Sequence, residues 1–232
     1  MNAADHGDSA RSLLDAQRRA EALFEDVVAR GLIEPGKLES ELSDEIHALA
    51  QARHGVRRHW HKRIARAGPN TLLSYYDQSP DRRMADDDIV YLDFGPVFDA
   101  WEADYGRTYV IGDDADKHRL VRDIEAAFHQ GKALFERQAD LTCGALYDYV
   151  RSLALTRGWE FGNTTAGHLV GPFPHESGGN APQPLSIRHG NELKLRDPDA
   201  DGVARHWILE IHFIDLQRQI GGFFEQLLTV PG

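Results

Sequence analysis

The sequence contains little cysteine and little positive charge. Cys143 is the one cysteine among 232 residues, so the chain cannot form an internal disulfide, which fits a reducing compartment. Lysine and arginine total 26 against 37 aspartates and glutamates, and the formal net charge is −11 with the 12 histidines neutral. An acidic chain is repelled by phosphate backbones and anionic lipids, so neither nucleic acid nor a membrane surface is expected as a partner.

Long apolar runs are also missing. No segment approaches the ~20 consecutive apolar residues that a membrane-spanning helix needs. The first residues, MNAADHGDSARSLL, are acidic where a signal peptide has a basic start and an apolar core. These features predict a cytoplasmic protein, and the 41% hydrophobic content is ordinary for a folded domain with a sizeable core.

A repeated order of helices and strands is present. Apolar residues three and four apart predict helices over 9–31, from Leu38 to just before Gly55, over 116–139, and before Gly158. β-Branched and aromatic residues predict a strand and hairpin over 89–111 and strands in HWILEIHFI and GGFFEQLLTV. Residues 174–202 are predicted to be a long surface loop. The order predicts one α+β domain over 13–232, built from two similar α/β halves, after a flexible tail at 1–12.

Asp93 lies in the middle of the apolar strand segment IVYLDFG. Alternation along a strand places its side chain on the face opposite Leu92 and Phe94. A buried carboxylate needs hydrogen bonds or a cation, because an unpaired buried charge is strongly destabilising. Asp104 poses the same problem further along, and a hairpin between the two would bring both to one face. An ion pair between Asp93 and Arg107 is the alternative interpretation.

Three further ionisable residues occur where strand interiors or close backbone approaches are expected. His168 follows a glycine in TTAGHLVGPFPHE, Glu210 lies within HWILEIHFI, and Glu225 follows GGFF. Four carboxylates and one imidazole form an oxygen-rich set that suits two divalent cations such as Mn²⁺, Co²⁺, Fe²⁺ or Zn²⁺. The lack of a thiolate set argues against a structural zinc cluster.

The ordered set Asp93, Asp104, His168, Glu210 and Glu225, with its Gly-His and Pro-His-Glu motifs, resembles the pita-bread metallopeptidases. These include methionine aminopeptidases, Xaa-Pro aminopeptidases, prolidases and the non-peptidase creatinase. The similarity runs from about residue 36 to 230, and AGPNTLL followed by DDIVYLDFG is more similar to the Xaa-Pro aminopeptidase and prolidase branch than to the methionine branch. The resemblance implies two pseudo-symmetric α/β halves with a curved antiparallel sheet covered by helices.

The resemblance also implies a role for each ligand. Asp93 binds the first metal through both oxygens. Asp104 and Glu225 bridge the two metals, and His168 and Glu210 complete the second site. Bridging carboxylates screen the repulsion between two closely spaced cations.

The implied reaction is hydrolysis of an amide bond. A hydroxide shared by both metals attacks the scissile carbonyl, and Glu210 accepts a proton. His175 of the Pro-His-Glu motif hydrogen-bonds to the substrate carbonyl or to the developing oxyanion. Without the neighbouring motif, His175 would be interpreted as a surface loop histidine.

Three positions depart from the prolidase-like pattern. Where that pattern has a substrate-contacting histidine after the GPN turn, this sequence has LLSYYD, which puts Tyr75 or Tyr76 near the position. Ile211 replaces the usual proline after the second-site glutamate, and Phe223 replaces an arginine often found before the bridging glutamate. Substrate selection is therefore expected to differ from that of a true Xaa-Pro enzyme.

Tyr75, His59 and His61 are the candidates for the missing substrate contact. His59 and His61 belong to the motif His-Trp-His, and strand alternation would turn both histidines toward the site. The alternative interpretation of this pair is a solvated or core-satisfied strand edge.

We therefore predict a dinuclear metal-dependent hydrolase of small peptides, an aminopeptidase or dipeptidase of the Xaa-Pro type. One alternative is a creatinase-like hydrolase of a small-molecule C–N bond, which the replaced histidine favours. Another is a catalytically inactive pita-bread module that binds proteins, although such a module would be expected to have lost ligands. Whether the chain forms a homodimer stays open.

Overall fold

The computed structural model describes residues 3–173 and 185–229. Its helices are Ala3–Ala29 (α1), Glu39–Arg53 (α2), Ala115–Arg137 (α3) and Cys143–Thr156 (α4). The side chains of Asp114 and Thr142 accept hydrogen bonds from backbone amides in the first turns of α3 and α4, which fixes where these two helices begin. Within the described ranges, no helix has the length and apolar content to cross a bilayer.

The strands form one main sheet and a small hairpin. Their bounds are Ile64–Ala67 (β1), Ile89–Phe94 (β2), Val97–Phe98 (β3), Trp101–Glu102 (β4), Tyr105–Val110 (β5), Glu160–Phe161 (β6), Ile208–Asp215 (β7) and Ile220–Leu227 (β8). The main sheet has six antiparallel strands in the order β1-β2-β5-β8-β7-β6, and β3 pairs with β4. The first half supplies α1, α2 and then β1, β2 and β5 of the main sheet, and the second half supplies α3, α4 and then β6, β7 and β8. The last strand of each half, β5 or β8, lies at the centre of the sheet. The predicted α+β class with two similar halves is confirmed.

The helices cover one face of this sheet. Leu92 and Phe94 of β2 are fully buried and pack with apolar residues of α1 and α2. Ile211 and Phe213 of β7 are also fully buried, and they pack with apolar residues of α3 and α4. Each half thus has its own apolar cluster, and the strand residues between these positions point to the opposite face.

A turn from the first half docks on that opposite face of the second half. The turn is a 3₁₀ helix over Gly68–Leu72. The carbonyl of Thr71 accepts a hydrogen bond from His212 Nε2 at 2.8 Å, and its Oγ1 accepts one from the Gly221 amide at 2.8 Å. A Cβ at Gly221 would lie 2.3 Å from the Thr71 carbonyl oxygen, so this close approach requires glycine.

Two local features differ from the sequence prediction. Helix α1 begins at Ala3 and therefore runs through most of the segment predicted as a flexible tail. The strand expected around His59 and His61 does not form. His59 makes one isolated bridge with Pro96, and the backbone bends at the next two residues. The described part of the predicted long loop, 185–202, contains no α-helix or β-strand. A single domain over 13–232 stays a prediction.

The packing of α3 on β8 provides a test of the core. Phe128 is fully buried, and its ring centroid lies 5.0 Å from that of Phe224. Phe128→Ala is expected to lower the free energy of unfolding by about 3–5 kcal/mol, because it removes apolar contacts and leaves a cavity. Leu155→Ala is the control, since Leu155 is 60% exposed and its replacement should change stability by about 0.5 kcal/mol or less. Chemical denaturation measures both, and equal losses would contradict this description of the core.

Candidate metal centre

Three acidic residues share one row across the main sheet. Backbone pairing aligns Asp93 of β2 with Gly106 of β5, Gly106 with Glu225 of β8, and Glu225 with Glu210 of β7. Residues paired in register across antiparallel strands point to the same face. The row therefore places three carboxylates on the face that the helices leave open, with a glycine between two of them.

Asp104 and His168 reach the same place from adjacent loops. Asp104 lies two residues before Gly106, so alternation points its side chain to the open face. His168 follows Gly167, which has a φ of +138° and where a Cβ would lie 2.0 Å from the Ile208 carbonyl oxygen. This position requires glycine. The loop can therefore run against β7, and His168 Nε2 comes within 3.2 Å of Asp104 Oδ2.

The ionisable side chains form two clusters that share Asp104. The first contains His61, Asp93 and Asp104, and the second contains Asp104, His168 and Glu225. Within each cluster, one potential ligand atom per residue lies within 4.8 Å of the others. His61 Nε2 is 3.2 Å from Asp104 Oδ1 and 3.5 Å from Asp93 Oδ1. Asp104 therefore offers one carboxylate oxygen to each cluster, Oδ1 beside His61 and Oδ2 beside His168.

Glu210 lies beside these clusters rather than within them. Its backbone pairs with that of Glu225, and its Oε1 accepts a hydrogen bond from the Thr165 hydroxyl at 3.1 Å. Burial, and then the charges of Asp104 and Glu210, raise the pKa of Asp93 to about 7 against the opposing effect of nearby imidazoles. Glu210 is therefore close enough to act electrostatically on the whole row.

Burial and mutual repulsion dominate the electrostatics of the site. Burial raises the pKa of Glu225 well above its ordinary range, and the neighbouring carboxylates raise it further. Burial also acts to raise the pKa of Asp104, but His61 and His168 hold it below its ordinary value. Burial acts to lower the pKa of both histidines, yet the surrounding carboxylates raise each to about 9. In the metal-free protein, bound protons therefore offset the negative charge.

Two buried carboxylate oxygens of the ligand clusters have no hydrogen-bond donor among the described residues. Asp93 Oδ1 and Glu225 Oε2 are inaccessible to solvent and accept no hydrogen bond from any described residue. The 3.5 Å separation between His61 Nε2 and Asp93 Oδ1 is too long for a hydrogen bond. Unsatisfied buried carboxylate oxygens are destabilising unless they take up a proton or bind a cation. The donor set, rich in oxygen with imidazole nitrogen beside it, fits divalent cations.

Tyr75 lies at the rim of the site. Arg66 is buried and donates hydrogen bonds to three carbonyls between residues 73 and 77, which fixes the loop that carries Tyr75. The ring centroid of Tyr75 is 5.9 Å from that of His61, and Tyr75 is 37% exposed. Tyr75 therefore borders both the ligand clusters and solvent. His175, the other predicted substrate contact, lies outside the described residues.

His59 packs on the helix-covered side of the sheet. Its ring centroid is 5.2 Å from that of His47 and 5.7 Å from that of Phe94. The prediction that His59 and His61 share a face is wrong, because the backbone bends at Trp60 and His61 instead of continuing as a strand. Of these two histidines, the structure brings His61 to the carboxylates.

Arg107 also lies on the helix-covered side. Its guanidinium donates a hydrogen bond to the carbonyl of Glu225 and stacks 3.8 Å from the ring centroids of Tyr105 and Phe224. The alternative interpretation, an ion pair between Arg107 and Asp93, is therefore wrong. A cavity of about 450 Å³ beside Arg107 lies on this same side, and its lining does not include Asp93, Asp104, Glu210 or Glu225.

Trp60 and Gly95 belong to the site although the sequence analysis does not identify them. Trp60 Nε1 donates a hydrogen bond to the Ala103 carbonyl, and its ring centroid lies 4.5 Å from that of His61 and 5.6 Å from that of His168. A Cβ at Gly95 would lie 2.2 Å from the His61 ring. The sequence signal for this contact is the glycine directly after Asp93-Phe94. Its role could not be inferred from the sequence, because the ring that fills the space belongs to His61, which is distant in the chain.

The chain belongs to metallopeptidase family M24, whose family model matches residues 11–199. An Xaa-Pro dipeptidase from Pyrococcus horikoshii is 27% identical over 145 residues, which are 62% of this chain and 40% of that protein. An Xaa-Pro dipeptidase from Lactobacillus helveticus is 24% identical over 179 residues, 77% of this chain and 46% of that protein. The chain therefore spans less than half the length of these two relatives.

Solved structures show the same fold. That of an Xaa-Pro dipeptidase from Bacillus anthracis matches with a TM-score of 0.76 at 22% identity, over 97% of this chain and 58% of that one. The predicted pita-bread fold and the resemblance to the prolidase branch are both confirmed.

Metal uptake by this site is expected to release protons at pH 7. His61 and His168 have pKa values of about 9 in the metal-free protein, so a cation must displace protons held in the site. Apparent affinity for a divalent cation should therefore rise from pH 7 to pH 9. Calorimetric titration in buffers of different ionisation enthalpy measures the protons released. An affinity independent of pH over this range would contradict the electrostatic description.

Proposed function

We propose that this chain is a metal-dependent hydrolase of amide bonds in small peptides, an aminopeptidase or dipeptidase of the Xaa-Pro type. The observation that carries the proposal is the pair of ligand clusters that share Asp104 on the open face of the sheet. Membership of family M24 and the names of the two Xaa-Pro dipeptidase relatives support a peptide substrate.

Five residues are proposed to hold two divalent cations. Asp93 would hold the first cation, His168 and Glu210 would hold the second, and Asp104 and Glu225 would be shared by both. The position of Asp104 in both clusters supports its bridging role. Mn²⁺, Co²⁺, Fe²⁺ and Zn²⁺ suit this donor set. Such cations, when bound, supply Lewis-acid polarisation of the scissile carbonyl and acidify the water that attacks it.

Glu210 is the residue proposed to move the proton. Its carboxylate lies in the row beside Glu225, and the hydrogen bond from Thr165 orients it. Glu210 accepts a proton from the attacking water as the new C–O bond forms. It then delivers that proton to the leaving nitrogen as the C–N bond breaks, so no further reactant is required. His175 is proposed to donate a hydrogen bond to the developing oxyanion.

A creatinase-like hydrolase of a small-molecule C–N bond is the second candidate. Tyr75 stands at the rim of the site, where the prolidase-like pattern has a histidine. Burial raises the pKa of the Tyr75 hydroxyl, so it is a neutral hydrogen-bond donor at pH 7. A neutral phenol cannot take up the positive charge that an imidazole can, and this difference favours another substrate. An inactive protein-binding module would not require two ligand clusters.

Hydrolysis of Xaa-Pro dipeptides by the metal-loaded protein tests the first candidate. Activity is expected to disappear on chelation and to return with Mn²⁺ or Co²⁺. Asp104→Asn should lower kcat/KM by at least about 10²-fold and reduce bound metal, because a bridging charge worth several kcal/mol is lost. Product release and elemental analysis measure the two effects.

Asp99→Asn is the matched control, at a nearby position in the turn between β3 and β4. The Asp99 side chain is 83% exposed and its φ is +56°, a conformation that asparagine tolerates. This variant should keep its metal and its activity. Turnover of creatine-like compounds without turnover of Xaa-Pro peptides would favour the second candidate. A purified protein that binds no divalent metal would contradict both.

Tyr75 is expected to hydrogen-bond to the substrate. Tyr75→Phe keeps the ring and removes the hydroxyl, so kcat/KM should fall about 2–10-fold, the effect of losing a hydrogen bond of about 0.5–1.5 kcal/mol. Bound metal should not change. Tyr76→Phe is the control, because Tyr76 is 84% exposed. Steady-state kinetics with the best substrate measures both variants, and equal effects would contradict a role for Tyr75.

A further inference from the structure

His61 and His168 have matching environments on opposite sides of Asp104. His61 Nδ1 lies 2.7 Å from the carbonyl oxygen of Lys62, and His168 Nδ1 lies 2.7 Å from that of Leu169. In both cases, the carbonyl accepts a hydrogen bond from Nδ1. Each Nε2 is then 3.2 Å from an oxygen of Asp104, Oδ1 for His61 and Oδ2 for His168.

This arrangement is typical of a metal-binding histidine. A backbone carbonyl that accepts the Nδ1 hydrogen fixes the tautomer and leaves the Nε2 lone pair for a metal. His168 has this geometry, and it is one of the five ligands proposed above. His61 has the same geometry but lies outside that set of five.

Neighbouring residues hold His61 in this position. The lack of a Cβ at Gly95 provides the space for its ring, and Trp60 packs edge-on against it with 4.5 Å between ring centroids. Trp60 is itself held by its hydrogen bond to the carbonyl of Ala103, next to Asp104. The His61 side chain is 6% exposed. His61 is therefore fixed among the carboxylates and is not a surface histidine.

We propose that His61 binds the first metal ion through Nε2, in addition to the five ligands named above. His61 forms the first cluster with Asp93 and Asp104, as His168 forms the second with Asp104 and Glu225. This inference rests on the proposed function, because it requires two divalent cations at the shared carboxylates.

With His61, the two metal positions have matched ligand sets. Each has one imidazole and one carboxylate of its own, Asp93 at the first and Glu210 at the second, and both share Asp104 and Glu225. Without His61, the first position would have oxygen ligands alone and would bind borderline cations such as Zn²⁺ less well. Matched sets lead us to expect two equivalents of Zn²⁺ bound with similar affinity.

NMR of the protein labelled with ¹⁵N-histidine and loaded with Zn²⁺ counts the imidazoles that bind metal. We expect two Nε2 resonances with metal-bound chemical shifts in the wild type. His61→Ala should remove one of them and His168→Ala the other. In a calorimetric Zn²⁺ titration, His61→Ala should weaken one of two binding steps by at least the roughly 10–100-fold that loss of an outer-shell partner causes.

His59→Ala is the matched control, because His59 lies two residues away and packs against His47 instead of the carboxylates. It should retain both resonances and both binding steps. A wild type that binds Zn²⁺ but shows a single metal-bound Nε2 overturns the role of His61 and leaves the proposed function intact. Two metal-bound Nε2 resonances that both persist in His61→Ala would have the same consequence. Absence of Zn²⁺ binding overturns both. The count in the wild type does not depend on how the variants fold.

Discussion

The convergence of buried negative charge on one row of the sheet is the constraint on which the rest of this structure depends. Asp93, Glu225 and Glu210 are aligned in register, and Asp104 joins them from the adjoining loop. Like charges this close repel each other, and burial removes the water that would screen them. Protons on imidazoles and carboxylates offset this charge in the metal-free protein, and divalent cations would offset it more completely.

Glycines give the site its space. Gly106 lies in the row itself, where a Cβ would lie 2.6 Å from the ring of Phe223. Gly95 allows the His61 ring to reach the carboxylates, and Gly167 allows the His168 loop to run against β7. The cluster of ionisable groups therefore depends on positions that carry no side chain.

The parts of this arrangement that could be predicted from the sequence are local. Alternation in IVYLDFG separates Asp93 from Leu92 and Phe94, and the structure has Leu92 and Phe94 in the helix-covered core. Helical periodicity locates α2, α3 and α4 to within a few residues. The apolar periodicity of these helices and the side-chain caps of α3 and α4 are set by neighbouring residues in the chain, so a single sequence contains the necessary information.

The parts that could not be predicted depend on contacts between distant segments. The orientation of His59 and His61 depends on a bridge to Pro96 and on the bend that follows, and neither is visible in the letters His-Trp-His. The side of the sheet on which Arg107 lies could not be predicted, because the sequence does not show which face of β5 the helices cover. The sequence shows only that a tyrosine stands near the position where the prolidase-like pattern has a histidine. The structure adds that Arg66 fixes the loop carrying Tyr75 and that Tyr75 borders the site.

A crystal structure of the protein grown with Mn²⁺, with anomalous scattering recorded, tests the central claim most directly. Two anomalous peaks are predicted on either side of Asp104, one next to Asp93 and the other next to His168. A map of the intact site with no peak next to Asp104 would contradict the claim that these buried carboxylates are held together to bind metal.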